Sequence, residues 1–397
     1  MAKIITDEKL IDELLSRGVE EVIEKANLKK KLMSGKQLRI KLGVDPTSPN
    51  LHLGRSVPLL KLKDFQDLGH KAVFIVGDFT GLIGDTSDKD AERPMIDSKT
   101  IKKNLKSYKE QVGKIIDLKR AEFHFNSNWL KKLNFTDINE LANVFSVNSF
   151  IQRDNIRRRI TTGKRVSLRE VLYPLMQGYD SVAVKSDVEI GGVDQRFNLL
   201  AGRTLQEHAS QVPQNIVMTT FPVEGTDGRK MSSSWGNTIN FLDTPEDMFG
   251  KVMAVRDILV MKYFNLLTRV SLKGIEEYKK QFESDPKGVK KKLAGEIVKM
   301  YHSEKNAEKA EENWENTFSK KEIPEDIKIV KAGKGEKLGD VLVKNGLLPS
   351  NSEFGRRLKG SAVKDMKSGE LIKENIEINK EMIVKFGKKD FVKISVK

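Results

Sequence analysis

The sequence predicts an α/β chain: a parallel sheet of the nucleotide-binding sort first, a helical stretch next, and a small basic end. Three observations carry this reading. Residues 38–84 read as strand, turn, helix and buried strand within about 40 residues, a βαβ unit with a right-handed crossover. From about residue 245 the pattern turns helical and rich in Lys, Glu and Ala. Residues 331–397 carry +7, nearly half of the +15 borne by all 397 residues.

Taken in order, residues 7–26 place Leu10, Ile11, Leu14, Leu15, Val19, Val22 and Ile23 at helical spacing, so the chain should open with an amphipathic helix. Leu38-Arg39-Ile40-Lys41-Leu42 then alternates like a strand and ends at Gly43-Val44-Asp45-Pro46-Thr47. After a Pro- and Asn-bearing turn, SVPLLKLKDFQDLGH reads as a helix closed near Gly69. KAVFIVGDFTGLIG is the continuous apolar run of a buried parallel strand, and IVMTTFPV reads as another strand. The segments SLKGIEEYKKQFES and GVKKKLAGEIVKMYHSEKNAEKAEENWENTFSK read as helices, and IPEDIKIVKAGKGEK as a linker.

Composition narrows the class. With 38% hydrophobic and 32% charged residues the chain suits a globular protein, and no stretch approaches the ~18 apolar residues of a membrane span. The start, MAKIITDEKLIDELL, lacks an apolar signal core. Zero cysteines exclude disulfides, zinc–thiolate sites and a cysteine nucleophile, and make the cytoplasm the expected home. Residues 101–120 and 151–170 carry +5 each. A single basic run is usually a solvated face, but three of them, with the basic tail, point to phosphate contacts.

Two motifs carry chemistry. Asp45-Pro46-Thr47-Ser48-Pro49-Asn50-Leu51-His52-Leu53-Gly54-Arg55 joins a strand to a helix at the carboxyl edge of the sheet, where open α/β sheets bind ligands. Gly54 would let a planar ligand approach the backbone, and His52 and Arg55 add donors beside the helix N-terminus. Gly228-Arg229-Lys230-Met231-Ser232-Ser233-Ser234 is a polar loop suited to a mobile clamp on a triphosphate. Either motif alone reads as an ordinary polar turn; the pair is far more specific. A third feature is Tyr173, Gln177 and Asp180, spaced i, i+4, i+7 along one helix face.

Together these motifs resemble the two signatures of class I aminoacyl-tRNA synthetases, His-Ile-Gly-His and Lys-Met-Ser-Lys-Ser. More narrowly, GVDPTSPNLHLGR, GDFTGLIGD, YPLMQGYD, IGGVDQRFN and GRKMSSS are similar, in order and spacing, to the bacterial type of tyrosyl enzyme. KLGDVLVKNGLLPSNSEFGRRLKG resembles a small RNA-binding domain shared with a ribosomal protein. The resemblance implies a Rossmann-like catalytic domain over 1–244, a helical anticodon-binding domain over 245–322, a linker over 323–336 and an α+β RNA-binding domain over 337–397. It implies ATP, accompanied by Mg²⁺, as a substrate rather than a tightly held cofactor, with tyrosine and tRNA(Tyr) as partners, a homodimer, and no resident metal.

Matched residue by residue, the resemblance sets His52, Gly54 and Arg55 against the ATP phosphates and adenine, with Lys230, Met231, Ser232 and Ser233 on the closing loop. Lys89 and Arg93 fall on a further pyrophosphate-contacting segment. Gly192 and Asp194 would hold the ribose, and Gln195 the tyrosyl carboxylate or α-phosphate. Asp85, Tyr173 and Gln177 would receive the ammonium, Asp180 the phenol hydroxyl, and Asp45 would line the pocket. Arg356, Arg357, Lys359 and Lys364 are the tail's candidates for RNA, held by a small core of Leu338, Val341, Leu342, Leu347 and Leu358.

Three positions depart from the pattern. Arg55 replaces the second histidine of the first signature, and Ser233 the second lysine of the second, which would load Lys230 or Arg229 more heavily. Lys41 stands where many bacterial tyrosyl enzymes place a tyrosine that touches the substrate hydroxyl, which leaves Asp180 as the phenol contact. The alternatives are a tryptophanyl enzyme, a small nucleotidyltransferase and a synthetase-like RNA-binding protein without activity.

Overall fold

The computed structural model describes residues 3–85, 95–220, 222–316, 327–366, 370–387 and 390–396. The chain divides into two compact units, Met1–Ala310 and Glu311–Lys397.

The first unit is built on six strands: β1 (Val19–Ile23), β2 (Arg39–Val44), β3 (Lys71–Val76), β4 (Glu122–Phe125), β5 (Val188–Gly192) and β6 (Asn215–Thr219), in the spatial order β1-β6-β5-β2-β3-β4. All neighbours run parallel except β1, which lies antiparallel on β6. The chain walks outward from β2 through β3 to β4, then returns to β5 on the other side of β2. The order therefore reverses between β2 and β5, and their carboxyl ends form the crevice where such sheets bind ligands. β3 and β6 are buried along almost their whole length because helices cover both faces, which explains their unbroken apolar runs.

One expected element changes identity. The opening helix stops at Leu14, and Val19, Val22 and Ile23 belong to the edge strand β1. Gly18 sits at φ +63°, a left-handed turn that ends the helical path, and the β-branched residues beyond it suit a strand. The helix Leu53–Asp67 follows β2 as expected, and Gly69 turns the chain at φ +95°. The helical stretch from Pro245 to Tyr301, expected as a separate domain, lies within the first compact unit.

The second unit has its own sheet of β7 (Lys328–Ala332), β8 (Lys364–Asp365), β9 (Met382–Lys385) and β10 (Phe391–Val396), ordered β7-β10-β9-β8. β7 falls inside the expected linker, yet it pairs in parallel with β10 and buries Val330 and Ala332 in the core. Two helices, Leu338–Lys344 and Asn351–Lys359, complete the unit. Leu338, Val341 and Leu342 are fully buried, while Leu347 and Leu358 are partly buried against them.

Candidate active site

Two adjoining cavities open at the carboxyl ends of β2 and β5. Asp45, Gly54, Arg55, Asp85, Tyr173, Gln177, Asp180, Gly192, Asp194 and Gln195 line the first. Asp45, His52, Gly54, Arg55, Lys230, Met231, Ser232 and Ser233 line the second. Asp45, Gly54 and Arg55 belong to both, so residues from five separated stretches of sequence converge on one continuous crevice. Lys89 and Arg93 lie outside the described residues.

The first cavity is held by a chain of hydrogen bonds. Asp45, just beyond β2, accepts from the Tyr173 hydroxyl at 2.9 Å and from Thr80 Oγ1 at 2.7 Å. Thr80 in turn accepts from Asn126 Nδ2 at 2.9 Å, and Asn126 also donates to Asp180 Oδ2 at 3.3 Å. Trp129 Nε1 donates to the other oxygen of Asp180 at 2.7 Å. Gly77 makes room for this arrangement, since a Cβ there would fall 1.9 Å from Asp45 Oδ1.

The two ends of that chain differ chemically. At one end, Asp45 and Asp85 place carboxylates beside Tyr173 and hold its hydroxyl protonated, in concert with burial, the larger effect. Such an end suits an ammonium group. At the other end Asp180 is 3% exposed, and its carboxyl is pushed up to about 7 by burial, which opposes its charged form. The facing Lys41 ammonium and the Trp129 and Asn126 donors work the other way. In its ionised form Asp180 accepts from Trp129 and Asn126 and keeps lone pairs for one further donor in a dry place.

Gln195 bridges Asp85 and Asp194, donating to them at 2.6 and 3.1 Å, and Asn198 Nδ2 donates to its carbonyl oxygen at 2.9 Å. This fixes the turn beyond β5 that carries Gly192 and Asp194.

The second cavity is cationic. His52 caps the helix Leu53–Asp67 without a side-chain cap bond, and its buried Nδ1 has no partner. Burial, then the charges of Arg55 and Lys230, depress its ring to about 4, so it is neutral at ordinary pH. Arg55 is exposed, and among the described residues it makes no hydrogen bond or ion pair. A Cβ on Gly54 would meet the His52 ring at 3.0 Å and Met231 at 3.4 Å.

The serine-rich loop is better anchored than its sequence suggests. Met231 is buried against Gly54, whose N–H points to its sulfur at 3.2 Å. Asn237, also buried, accepts from the Ser232 N–H at 2.8 Å and donates to Asp227 at 2.7 Å and to the Lys230 carbonyl at 3.1 Å. Ser233 lies 3.5 Å from Ser48 across the cavity. Arg229, expected beside Lys230 as a carrier of that load, is engaged within its own loop. It pairs with Asp227 at 2.6 Å and stacks on Trp235, while Lys230 lines the cavity.

Lys41 is also spoken for. It is fully buried beneath the helix Leu168–Val184 and paired with Glu189 at 2.8 Å. In the second unit, Arg357 donates to Glu353, Asp390 and the Phe386 carbonyl and stacks on Phe386, so its guanidinium holds the fold together. Arg356 pairs with Glu353 but remains 76% exposed, Lys359 is exposed, and Lys364 is half-buried on β8.

Thr80, Asn126, Trp129, Glu189 and Asn237 escaped the sequence reading. Thr80 sits inside the GDFTGLIGD stretch and was within reach; the others lie in segments whose patterning carries no sign of a site. Among the described residues no group of three or more His, Asp or Glu is placed to hold a metal ion, and no helix is long and apolar enough to cross a membrane.

Comparison with known proteins adds to this geometry. The family model for class I tRNA synthetases of the tryptophan and tyrosine kind matches residues 33–319. A tyrosine–tRNA ligase of Thermotoga maritima is 44% identical over 387 residues, covering 96% of either chain. One from Aquifex aeolicus is 42% identical over 387 residues, covering 96% of this chain and 97% of its own. Among solved structures, a tyrosyl-tRNA synthetase of Archaeoglobus fulgidus complexed with L-tyrosine aligns with TM-score 0.61 at 22% identity, over 77% of this chain and all of its own. A C-terminally truncated mitochondrial tyrosyl-tRNA synthetase of Aspergillus nidulans aligns with TM-score 0.67 at 21% identity, over 78% of this chain and 94% of its own. These two likenesses speak for the fold.

Proposed function

The chain belongs to the class I tRNA synthetases of the tryptophan and tyrosine kind, on the tyrosine side, and from that premise we propose how its residues divide the work of joining tyrosine to tRNA. In the first step a tyrosine carboxylate oxygen attacks the α-phosphorus of ATP, the bond to the β-phosphate oxygen breaks, and pyrophosphate leaves. In the second a 3′-terminal ribose hydroxyl of tRNA(Tyr) attacks the carbonyl carbon of the adenylate, and AMP leaves. Neither step needs a protein nucleophile, so catalysis comes from orientation and from charge placed where charge develops.

Tyrosine lies along the first cavity. Its ammonium meets Asp85, Tyr173 and Gln177, with Asp45 behind, and its hydroxyl donates to Asp180. Gly192 and Asp194 take the ribose, and Gln195, held between two carboxylates, faces the carboxylate or α-phosphate. ATP enters with Mg²⁺ as its counter-ion and runs its phosphates into the cationic cavity. There His52 acts as a neutral donor, Arg55 and Lys230 supply charge, and Ser232 and Ser233 offer hydroxyls. The observation that carries this assignment is the bipolar first cavity: carboxylates at one end, a buried acceptor at the other, tied by one hydrogen-bond chain. An acceptor at that end calls for a ring that carries a donor, which disfavours phenylalanine. The indole N–H of tryptophan is also a donor, and tyrosine is favoured over it by the tyrosine–tRNA ligases the chain resembles.

The test is ATP–pyrophosphate exchange with each of the twenty amino acids. Tyrosine should drive it. Phenylalanine should be rejected by roughly 10⁴–10⁵, a range for which tyrosyl enzymes are themselves the standard example. Equal exchange with tryptophan would overturn the assignment.

The basic second unit is read as the RNA-binding part, through Arg356, Lys359 and Lys364, with Arg357 holding their helix in place. Removing residues 327–397 should spare exchange, cut tRNA charging, and flatten the salt dependence of tRNA binding by about 0.7–0.9 log units per lost phosphate contact. A homodimer is supported by Phe135, Ile138, Val147, Ile160 and Leu168, all exposed within residues 135–168, which a second copy would cover. Sedimentation of the intact chain tests that. A cysteine-free enzyme of this kind fits the cytoplasm.

A further inference from the structure

At the phenol end of the pocket lies a buried ion pair to which the proposed reaction assigns no role, and its Glu189 belongs to the lining of the first cavity. Lys41 on β2 and Glu189 on β5 are 0% and 1% exposed, and Nζ and Oε1 are 2.8 Å apart. Lys41 also donates to Ser181 Oγ at 2.8 Å and to the Gln177 carbonyl at 3.0 Å, so all three of its N–H bonds are engaged. Glu189 accepts in turn from Ser181 at 3.0 Å and from the Gln214 side-chain amide. Apolar residues of similar volume often serve stability as well as a buried pair does, so stability alone does not account for two charges here.

We propose that the Lys41–Glu189 pair is a positioning device for tyrosine recognition, pinning the turn of helix around Asp180 and setting the charge that Asp180 presents to the phenol. This rests on reading Asp180 as the phenol acceptor. Lys41 grips the helix at Gln177 and at Ser181, and Asp180 lies between those two holds. Lys41 and Glu189 also act on Asp180 in opposite senses: the ammonium favours its ionised form and the carboxylate opposes it. The other charged or titratable groups around it are Tyr173 on the same helix, Asp45 and Asp85 beyond Tyr173, and His124, which stacks on Trp129 and bonds Glu122. None of these contacts the helix at both Gln177 and Ser181.

The experiment is kcat/KM for tyrosine against pH, by ATP–pyrophosphate exchange with the full chain, in the wild type, Lys41→Met, Glu189→Gln and Asp180→Asn. This ratio reports ionisations of the free enzyme. Lys41→Met should move the acid limb to higher pH and Glu189→Gln to lower pH, each by about one unit or more, as a nearby charge does. The profile for ATP at saturating tyrosine should stay in place. A pair with only a structural role would lower activity in both variants with the limb unmoved, or shift both the same way, and either result overturns the proposal. Should Lys41→Met fail to fold, the isosteric Glu189→Gln decides alone, and a limb that does not move down overturns it. Asp180→Asn separates the two readings. If that variant still discriminates tyrosine from phenylalanine, the reading of Asp180 falls; if discrimination collapses while the limb stays fixed in the pair's variants, only the role of the pair falls.

Discussion

The two cavities of the crevice solve opposite problems. The first cavity, proposed for tyrosine, is dry and internally bonded: Asp180, Trp129, Asn126, Thr80, Asp45 and Tyr173 hold one another before any substrate arrives, and Asp180 keeps lone pairs for one more donor. The second cavity, proposed for the phosphates, is cationic, with Arg55 exposed and Lys230 half-buried on a loop anchored through Met231 and Asn237. A ring without a donor would leave the ionised Asp180 short of one hydrogen bond in a dry place, so the closed end is built to discriminate. A set of exposed cations is tolerant of geometry, so the open end can follow charge as it moves from ATP to pyrophosphate. The two substitutions in the family signatures, Arg55 and Ser233, both fall in the second cavity, where an open, cationic setting is tolerant of geometry.

The sharpest way to break this contrast is Asp180→Ala, which removes the acceptor and strands Trp129 and Asn126. It should cost about 10³-fold or more in kcat/KM for tyrosine and collapse discrimination against phenylalanine, measured by exchange with both amino acids. Lys230→Ala comes next. Losing one preorganised charge at the transferring group should lower kcat for activation by ~10²–10³ with little change in KM for tyrosine. A normal kcat would move the role to Arg55.

The pH profile separates the ends without mutation. Phenol binding needs the ionised Asp180 carboxylate, whose pKa is raised to about 7, so kcat/KM for tyrosine should fall about tenfold per unit as pH drops below that value. His52, depressed to about 4, stays neutral over the same window, so kcat/KM for ATP at saturating tyrosine should lack this limb. The smallest effect is expected from Asn237→Ala, which loosens the serine loop by a few hydrogen bonds. A decrease of up to about tenfold in kcat, with KM for tyrosine unchanged, would place its influence at the phosphate end alone.

Stability should carry a matching signature with its own sign. His52 and His70 have pKa values lowered to about 4 by burial, so the unfolded chain binds more protons between there and the ordinary histidine value. Stability from these two is present above that ordinary value and is lost as pH falls toward 4. Asp180 runs the other way: its raised value favours the folded state at low pH, and that contribution fades as pH rises through about 7. Chemical denaturation of His70→Gln across this range should show a shallower acid loss than the wild type.

Much of this was legible in the chain itself. The βαβ unit, the turn through His52 and Gly54, the serine loop and the face Tyr173–Gln177–Asp180 are local patterns, written in spacing and in residue type within one or two turns. What escaped was of another kind. The early helix became a helix and an edge strand because the strand β6 offered Val19–Ile23 a hydrogen-bonding partner some 200 residues away, and local periodicity cannot see such a partner. β7 was hidden in a lysine-rich linker for the same reason, its pairing with β10 being non-local.

Sequence by itself determined the βαβ unit, the cysteine-free basic chemistry and the motifs that line the crevice, because these depend on residue type at short range. Only the tertiary structure decided what each group is free to do. It bound Arg229 to Asp227 and Arg357 to Asp390, so neither is the ready cation its sequence suggests. It tied Lys41 to Glu189, a partner 148 residues distant, through the parallel pairing of β2 with β5. It brought Asn126 and Trp129 to Asp180 across the end of β4. A side chain's type fixes the charge and bonds it can offer, but burial and partners fix which of them remain for a substrate, and those are set by segments that meet only when the sheet closes.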